Sequence, residues 1–154
     1  MFNLGIKSGI ERKINYIKRR FSPETNHLRK EISLPKKWFG NHYGGFFVAT
    51  EFVNENSIVY SFGIGEDISF DTALLNKYNS KVFGFDPTPK SIKWIASKDL
   101  PQGFQFYDFG IGERTEKAVF YFPKNPNFIS GSVGIKSNVN SSEGTEVELK
   151  TLKD

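Results

Sequence analysis

The chain has 154 residues, no cysteine and two histidines, with 21 Lys and Arg against 17 Asp and Glu. This length allows one domain with a hydrophobic core, and the lack of cysteine excludes disulfides, thiolate catalysis and Cys-bound zinc. His27 and His42 do not have the spacing of metal ligands on one helix face, so we expect both in loops and expect no metal site.

Positive charge is concentrated at the N-terminus. Residues 1–37 contain ten Lys and Arg against three acidic residues, a net charge of +7, whereas the rest of the chain carries −3. Four isoleucines in this segment recur at helical spacing: Ile6, Ile10, Ile14 and Ile17. This pattern predicts an amphipathic helix with a basic face. Its isoleucines can pack on the domain, or the helix can act as an adaptor on an anionic membrane surface or nucleic acid. We favour packing, with at most weak membrane contact and no nucleic-acid partner.

The sequence predicts two parts, a basic helical arm over residues 1–37 and a domain over residues 38–154. No apolar run is long enough for a signal peptide or a membrane span, which favours a cytoplasmic location. Residues 46–54 have apolar positions at helical spacing, although the adjacent Phe47 and Val48 leave a strand open.

The elements that follow alternate between strand and helix patterns. The predicted strands and helices are, in chain order, strand 57–62, helix 68–78, strand 81–85, a helix from Pro89 to about Ser97 with Thr88 as N-cap, and strand 104–109. Short strands over 118–122 and 147–152 come next. The Asn-, Ser- and Gly-rich segment 125–145 between them lacks periodicity, as lids and unstructured loops do.

A glycine turn follows the first buried strand. Gly63 and Gly65 lie in Val59-Tyr60-Ser61-Phe62-Gly63-Ile64-Gly65-Glu66-Asp67, and Asp86 closes the next strand about twenty residues later. Strand, glycine turn, helix, strand and acid form the layout by which doubly wound α/β domains hold an adenosine nucleoside. Glycines allow positive φ and close approach of a ligand, and Asp86 can accept hydrogen bonds from the ribose hydroxyls. Each feature alone also fits a structural turn or a helix cap.

The charge of this turn discriminates between nucleoside cofactors. Glu66 and Asp67 would repel a pyrophosphate, and the third glycine of the dinucleotide motif is replaced by Ile68. S-adenosylmethionine carries a sulfonium and an ammonium, so acidic residues favour it over NAD. Asp67 can equally cap the following helix, and both roles are compatible.

Two runs of the sequence resemble the FkbM family of S-adenosylmethionine-dependent methyltransferases. They are Tyr60-Ser61-Phe62-Gly63-Ile64-Gly65-Glu66-Asp67-Ile68-Ser69-Phe70-Asp71 and Phe85-Asp86-Pro87-Thr88-Pro89-Lys90-Ser91-Ile92. Tyr43-Gly44-Gly45, Tyr121-Phe122-Pro123 and Asn125-Pro126 are also similar to that family.

The resemblance implies a Rossmann-like, doubly wound methyltransferase sheet and O-methylation of a hydroxyl on a sugar or natural product. It implies that Gly63, Gly65, Glu66 and Asp67 line the methionine end of the cofactor, that Asp86 holds the ribose, and that Pro87 and Thr88 lie beside the adenine. At the end of the third strand, Phe109 and Gly110 are candidates for adenine contact.

The chain departs from the family because it stops soon after Val147-Glu148-Leu149-Lys150-Thr151-Leu152, where family members continue into the second half of the sheet. We therefore expect an incomplete domain with an exposed apolar sheet edge, which a dimer can cover. A non-catalytic binding fragment remains an alternative to an active methyltransferase, and no catalytic residue is assigned.

Overall fold

The computed structural model describes residues 14–15, 17–18, 21–22, 32–125 and 131–153. The chain divides into two compact units, Met1–Leu34 and Pro35–Asp154. In the first unit Ile14 and Ile17 are helical, as their spacing predicts, whereas Ile6, Ile10 and His27 lie outside the described residues. The second unit begins at Pro35, directly before its first strand at Lys36.

A β-hairpin opens the second unit. Strand β1 (Lys36–Phe39) pairs antiparallel with β2 (Phe46–Ala49), and Trp38 lies opposite Phe47. Of the two forms that the sequence left open for residues 46–54, the structure has the strand at Phe46–Ala49, and only Thr50–Phe52 forms a short 3₁₀ helix. Backbone pairing with β1 and the edge-to-face contact of Trp38 with Phe47, at 5.0 Å, favour the extended form.

A three-stranded parallel sheet forms the centre of the unit. It consists of β3 (Ile58–Phe62), β4 (Lys81–Phe85) and β5 (Phe104–Tyr107), in the order β3-β4-β5. Helix α1 (Ser69–Tyr78) connects β3 to β4, and α2 (Pro89–Ala96) connects β4 to β5. These elements confirm the strand and helix predictions for this region, with Thr88 at the N-cap of α2, although β5 ends two residues before the predicted Phe109.

One face of this sheet is covered by both helices. Leu75 of α1 and Ile95 of α2 share a buried core cluster with Val82 of β4, which has no exposed surface. Burial of each such side chain stabilises the fold by about 1.5–3 kcal/mol. This core holds the carboxyl ends of β3 and β4 in a defined position.

The other face of the sheet is aromatic. Tyr60 stacks on Phe83 and Phe85, with ring centroids at 5.7 and 6.1 Å, and Phe85 stacks on Tyr107 at 5.0 Å. Tyr60 and the neighbouring Phe62 remain 54% and 53% exposed. The second unit is thus an α/β arrangement in which α1 and α2 both lie on one face of the parallel sheet.

A second sheet follows the parallel one. It contains β6 (Gly110–Ile111), β7 (Glu116–Pro123) and β8 (Val139–Lys150), in the order β6-β8-β7. β7 and β8 pair antiparallel, whereas β6 pairs parallel with β8. The predicted strand at 118–122 lies within β7, and the predicted strand at 147–152 overlaps β8, which begins at residue 139 and ends at Lys150. The segment 125–145, predicted to be a lid or an unstructured loop, is therefore partly strand, and its residues 126–130 lie outside the described part.

Along the residues that the structure describes, no helix combines the length and the apolar character needed to cross a bilayer.

Candidate ligand-binding cleft

A glycine turn forms the base of the candidate site. Gly63 and Gly65 have φ angles of +78° and +60°, the left-handed region that side chains other than glycine rarely adopt. The Gly63 N–H donates to the Phe85 carbonyl at 2.9 Å, which extends the ladder between β3 and β4 past the end of β3. The chain then reverses direction towards α1, as the sequence motif predicts.

Asp86 connects this turn to the end of β4. Its Oδ2 accepts a hydrogen bond from the Gly65 N–H at 2.7 Å, and its Oδ1 accepts from the Thr88 N–H and hydroxyl at 2.9 and 2.6 Å. The residue is only 4% exposed. Charge-assisted bonds of this kind are strong, so Asp86 fixes the glycine turn relative to the N-terminus of α2.

Glu66 and Asp67 lie in the short segment between the glycine turn and α1. The Glu66 carboxylate forms an ion pair with Lys90 of α2 at 2.9 Å. Asp67 accepts a hydrogen bond from the N–H of Ser69, the first residue of α1, at 2.8 Å, although Ile68 and not Asp67 occupies the N-cap position. Its other oxygen accepts from the Asn41 side-chain amide at 2.7 Å.

Asn41 holds the loop between β1 and β2 against the segment that precedes α1. Its Oδ1 accepts from the N–H groups of Tyr43 and Gly44, both at 2.7 Å, and its own N–H donates to the Ser69 hydroxyl at 2.9 Å. Gly44 lies so near that a Cβ at this position would collide with the Asp67 carboxylate. The loop therefore forms one wall beside the glycine turn.

Asp71 is a buried carboxylate on the inward face of α1. It is 2% exposed, and its Oδ1 has no hydrogen-bond partner. Burial raises the pKa of Asp71, a hydrogen bond from the Ser61 hydroxyl opposes the rise, and the nearby charge of Asp67 adds to it.

These groups surround a cleft of about 780 Å³. Seven of the predicted site residues line it: Gly63, Gly65, Glu66, Asp67, Asp86, Pro87 and Thr88. Phe120 of β7 and Phe46 of β2 contribute apolar surface at other sides. A concave, partly apolar site with a few convergent polar groups is typical of small-molecule binding.

Two predicted site residues lie elsewhere. Phe109 packs on the aromatic face, 5.5 Å from Phe85 between ring centroids, with the Lys150 ammonium 4.3 Å from its ring centroid. Gly110 is enclosed by Leu149 and Pro87, where an added Cβ would be 2.8 Å from Leu149 Cδ2 and 3.1 Å from Pro87 Cγ. Neither residue is among those that line the cleft.

Three polar residues of the cleft were not predicted from the sequence: Asn41, Ser61 and Asp71. A signal for Asp71 exists, because it stands three and four residues before the buried Leu74 and Leu75 and thus on the apolar stripe of α1. Asn41 has no comparable signal, since its partners Asp67 and Ser69 follow 26 and 28 residues later.

Within the described part of the chain, no group of three His, Asp or Glu side chains is arranged to hold a metal ion. Comparisons of the chain with protein-family models, with curated proteins and with solved structures gave no match.

Proposed function

We propose that this chain binds S-adenosylmethionine in the cleft and is a methyltransferase-type domain with a Rossmann-like sheet, as its resemblance to the FkbM family implies. The observation that carries the proposal is the convergence of four acidic side chains on a glycine turn at the carboxyl ends of β3 and β4. They are Glu66, Asp67, Asp71 and Asp86. Ligands of parallel α/β sheets bind at this end of the strands.

The charge of the cleft favours a cationic nucleoside over a nucleotide. None of the described residues that line the cleft is Lys or Arg, and the nearby Lys90 is paired with Glu66. A phosphate group here would face carboxylates in a partly buried site, where Coulomb repulsion is stronger than in water. A sulfonium and an ammonium would be attracted instead.

Asp86 is the proposed ribose ligand. Each carboxylate oxygen can accept two hydrogen bonds, and Oδ2 of Asp86 receives one from the Gly65 N–H. A ribose hydroxyl can donate to the same oxygen without displacing the glycine turn. Pro87 and Thr88 adjoin Asp86 along the cleft and are assigned to the adenine side.

The proposed reaction is methyl transfer to a hydroxyl of a sugar or small natural product. A bound S-adenosylmethionine would supply the methyl group: the acceptor oxygen would bond to the methyl carbon as the carbon–sulfur bond breaks, and the hydroxyl proton would pass to a base. The sulfonium is already an activated leaving group, so the protein chiefly has to align the acceptor with the methyl carbon. No residue of this chain is assigned as the base.

Calorimetric titration with S-adenosylhomocysteine tests the cofactor assignment without turnover. We expect saturable binding in the micromolar range by the wild-type chain and no binding of NAD or ATP at the same concentrations. Asp86→Asn should weaken binding about tenfold or more, equivalent to about 1.4 kcal/mol, whereas Asp99→Asn, at an exposed site away from the cleft, should not. Failure of the folded wild-type chain to bind would refute the proposal.

Binding without catalysis is the second candidate function, favoured by the exposed aromatic face at Tyr60 and Phe62. A sheet that leaves such a face open can require a partner surface before the site is competent. Transfer of a labelled methyl group to a panel of sugar and phenolic hydroxyls distinguishes the two candidates. Cofactor binding without any transfer supports the binding fragment.

A further inference from the structure

Asp71 has a position that packing within this chain does not account for. It lies on the apolar stripe of α1 beside Leu74 and Leu75, where a carboxylate is costly to bury. Its Oδ1 lacks a hydrogen-bond partner, although buried carboxylates are normally paired or fully hydrogen-bonded. A donor group of a bound ligand would complete the hydrogen bonding of this oxygen.

The unpartnered oxygen belongs to a residue that lines the cleft. Asp71 adjoins the glycine turn there together with Ser61, whose hydroxyl hydrogen-bonds the Asp71 carboxyl. Two other buried side-chain oxygens without partners, those of Ser80 and Ser91, belong to residues that do not line the cleft. Asp71 is thus distinguished by being buried, acidic, incompletely bonded and part of the cleft lining.

The surroundings of Asp71 call for a cation. Asp67, four residues before Asp71, is also acidic and repels a second negative charge, and the described lining contains neither Lys nor Arg. An ammonium group carries three donors and one positive charge, so it would satisfy the free oxygen and offset both carboxylates.

We infer that Asp71 binds the α-ammonium of the ligand's amino-acid end, and so selects a nucleoside that carries an amino acid over a simple nucleoside. This inference rests on the proposed binding of S-adenosylmethionine. It adds a specificity residue on α1 to the turn and strand residues already described.

The test compares two ligands on two proteins. S-adenosylhomocysteine carries the ammonium, and 5′-methylthioadenosine shares its adenosine and thioether but lacks the amino-acid end. Asp71→Asn keeps the shape of the side chain and removes its charge. We expect the variant to bind S-adenosylhomocysteine at least tenfold more weakly and to bind 5′-methylthioadenosine within about twofold of wild type.

A second comparison changes the ammonium group of the ligand. The wild-type chain should bind the deaminated analogue of S-adenosylhomocysteine at least tenfold more weakly than the parent compound, and Asp71→Asn should bind the two about equally. Asp99→Asn serves as the matched control and should behave as wild type. Circular dichroism of each variant confirms that it is folded.

The outcomes separate the two proposals. Equal weakening of both ligands in Asp71→Asn, or unchanged binding of S-adenosylhomocysteine, overturns the role of Asp71 while leaving the cofactor assignment intact. Binding of neither ligand by the wild-type chain overturns the proposed function and this inference with it.

Discussion

At the scale of single residues, the turn requires glycine at position 63 because of the backbone φ angle and not because a side chain would clash. An added Cβ at Gly63 would meet no atom within 4 Å, yet φ is +78°. Gly134 has the same free space without a positive φ. Since a side chain would be crowded at neither position, a comparison of the two isolates the energetic cost of backbone strain at Gly63.

We predict that Gly63→Ala destabilises the domain by about 1–2 kcal/mol, because an L-residue pays roughly this amount in the left-handed region. Gly134→Ala should leave stability unchanged or raise it slightly, since it restricts only the unfolded chain. Urea denaturation of both variants measures the difference. Equal free energies of unfolding would contradict the assigned strain.

The buried carboxyl of Asp71 makes the free energy of unfolding depend on pH. Burial raises its pKa in the folded state above the ordinary value of 3.8, so the folded protein holds this proton more tightly than the unfolded chain does. The stabilisation from this group is complete below pH 3.8 and is lost as pH rises through the folded-state pKa.

We therefore predict that Asp71→Asn gains stability relative to wild type between about pH 4 and pH 7, because the amide has no charge to desolvate. Denaturation of both proteins across this range measures the change. A free-energy difference between them that does not vary with pH would show that Asp71 titrates normally.

At the scale of elements, the wall of the cleft beside β1 and β2 depends on one side chain. Asn41 makes hydrogen bonds both within its own loop and to Asp67 before α1. By contrast, Asn54 uses its side-chain oxygen only for the Asn56 N–H in its own turn, at 2.9 Å.

We predict that Asn41→Ala speeds hydrogen exchange at the Tyr43 and Gly44 amides and destabilises the domain by about 1–3 kcal/mol, as loss of several hydrogen bonds does. Asn54→Ala should leave exchange at these two amides unchanged. Mass spectrometry of deuterium uptake measures both. Unaltered exchange in Asn41→Ala would mean that the loop is held by other contacts.

The elements differ in how far the sequence alone could predict them. β3, α1, β4 and α2 were predictable, because the strands are apolar runs and the helices carry periodic apolar positions, although β3 is an edge strand with one exposed face and not a buried strand. The strand at Phe46–Ala49 was not, because its apolar spacing also fits a helix and only pairing with β1 decides between them.

At the scale of the whole molecule, the parallel sheet has one covered and one open face. Leu75 and Ile95 pack on the covered face, whereas Tyr60 and Phe62 on the open face stay half exposed. β3 is also at the edge of its sheet. Exposed apolar patches and open edges promote association.

We predict that the chain self-associates through the aromatic face and that Tyr60→Ser weakens this association about tenfold, the loss expected for an aromatic contact worth about 1.4 kcal/mol. Phe52→Ser removes another exposed ring outside the face and should have no effect. Sedimentation velocity over a range of concentrations measures both. A wild-type chain that stays monomeric would contradict this prediction.

The sequence by itself determined the local features of this protein: the parallel strands, the two helices between them, the glycine turn and the acidic character of the residues after it. These follow from side-chain periodicity and from the steric freedom of glycine, which act over a few residues. Only the tertiary structure decided that Asn41 closes on Asp67, that Asp71 is buried with a free oxygen, and that Phe109 and Gly110 lie off the cleft. The reason is that such contacts join residues far apart in the chain, and their distances depend on how strands and helices pack.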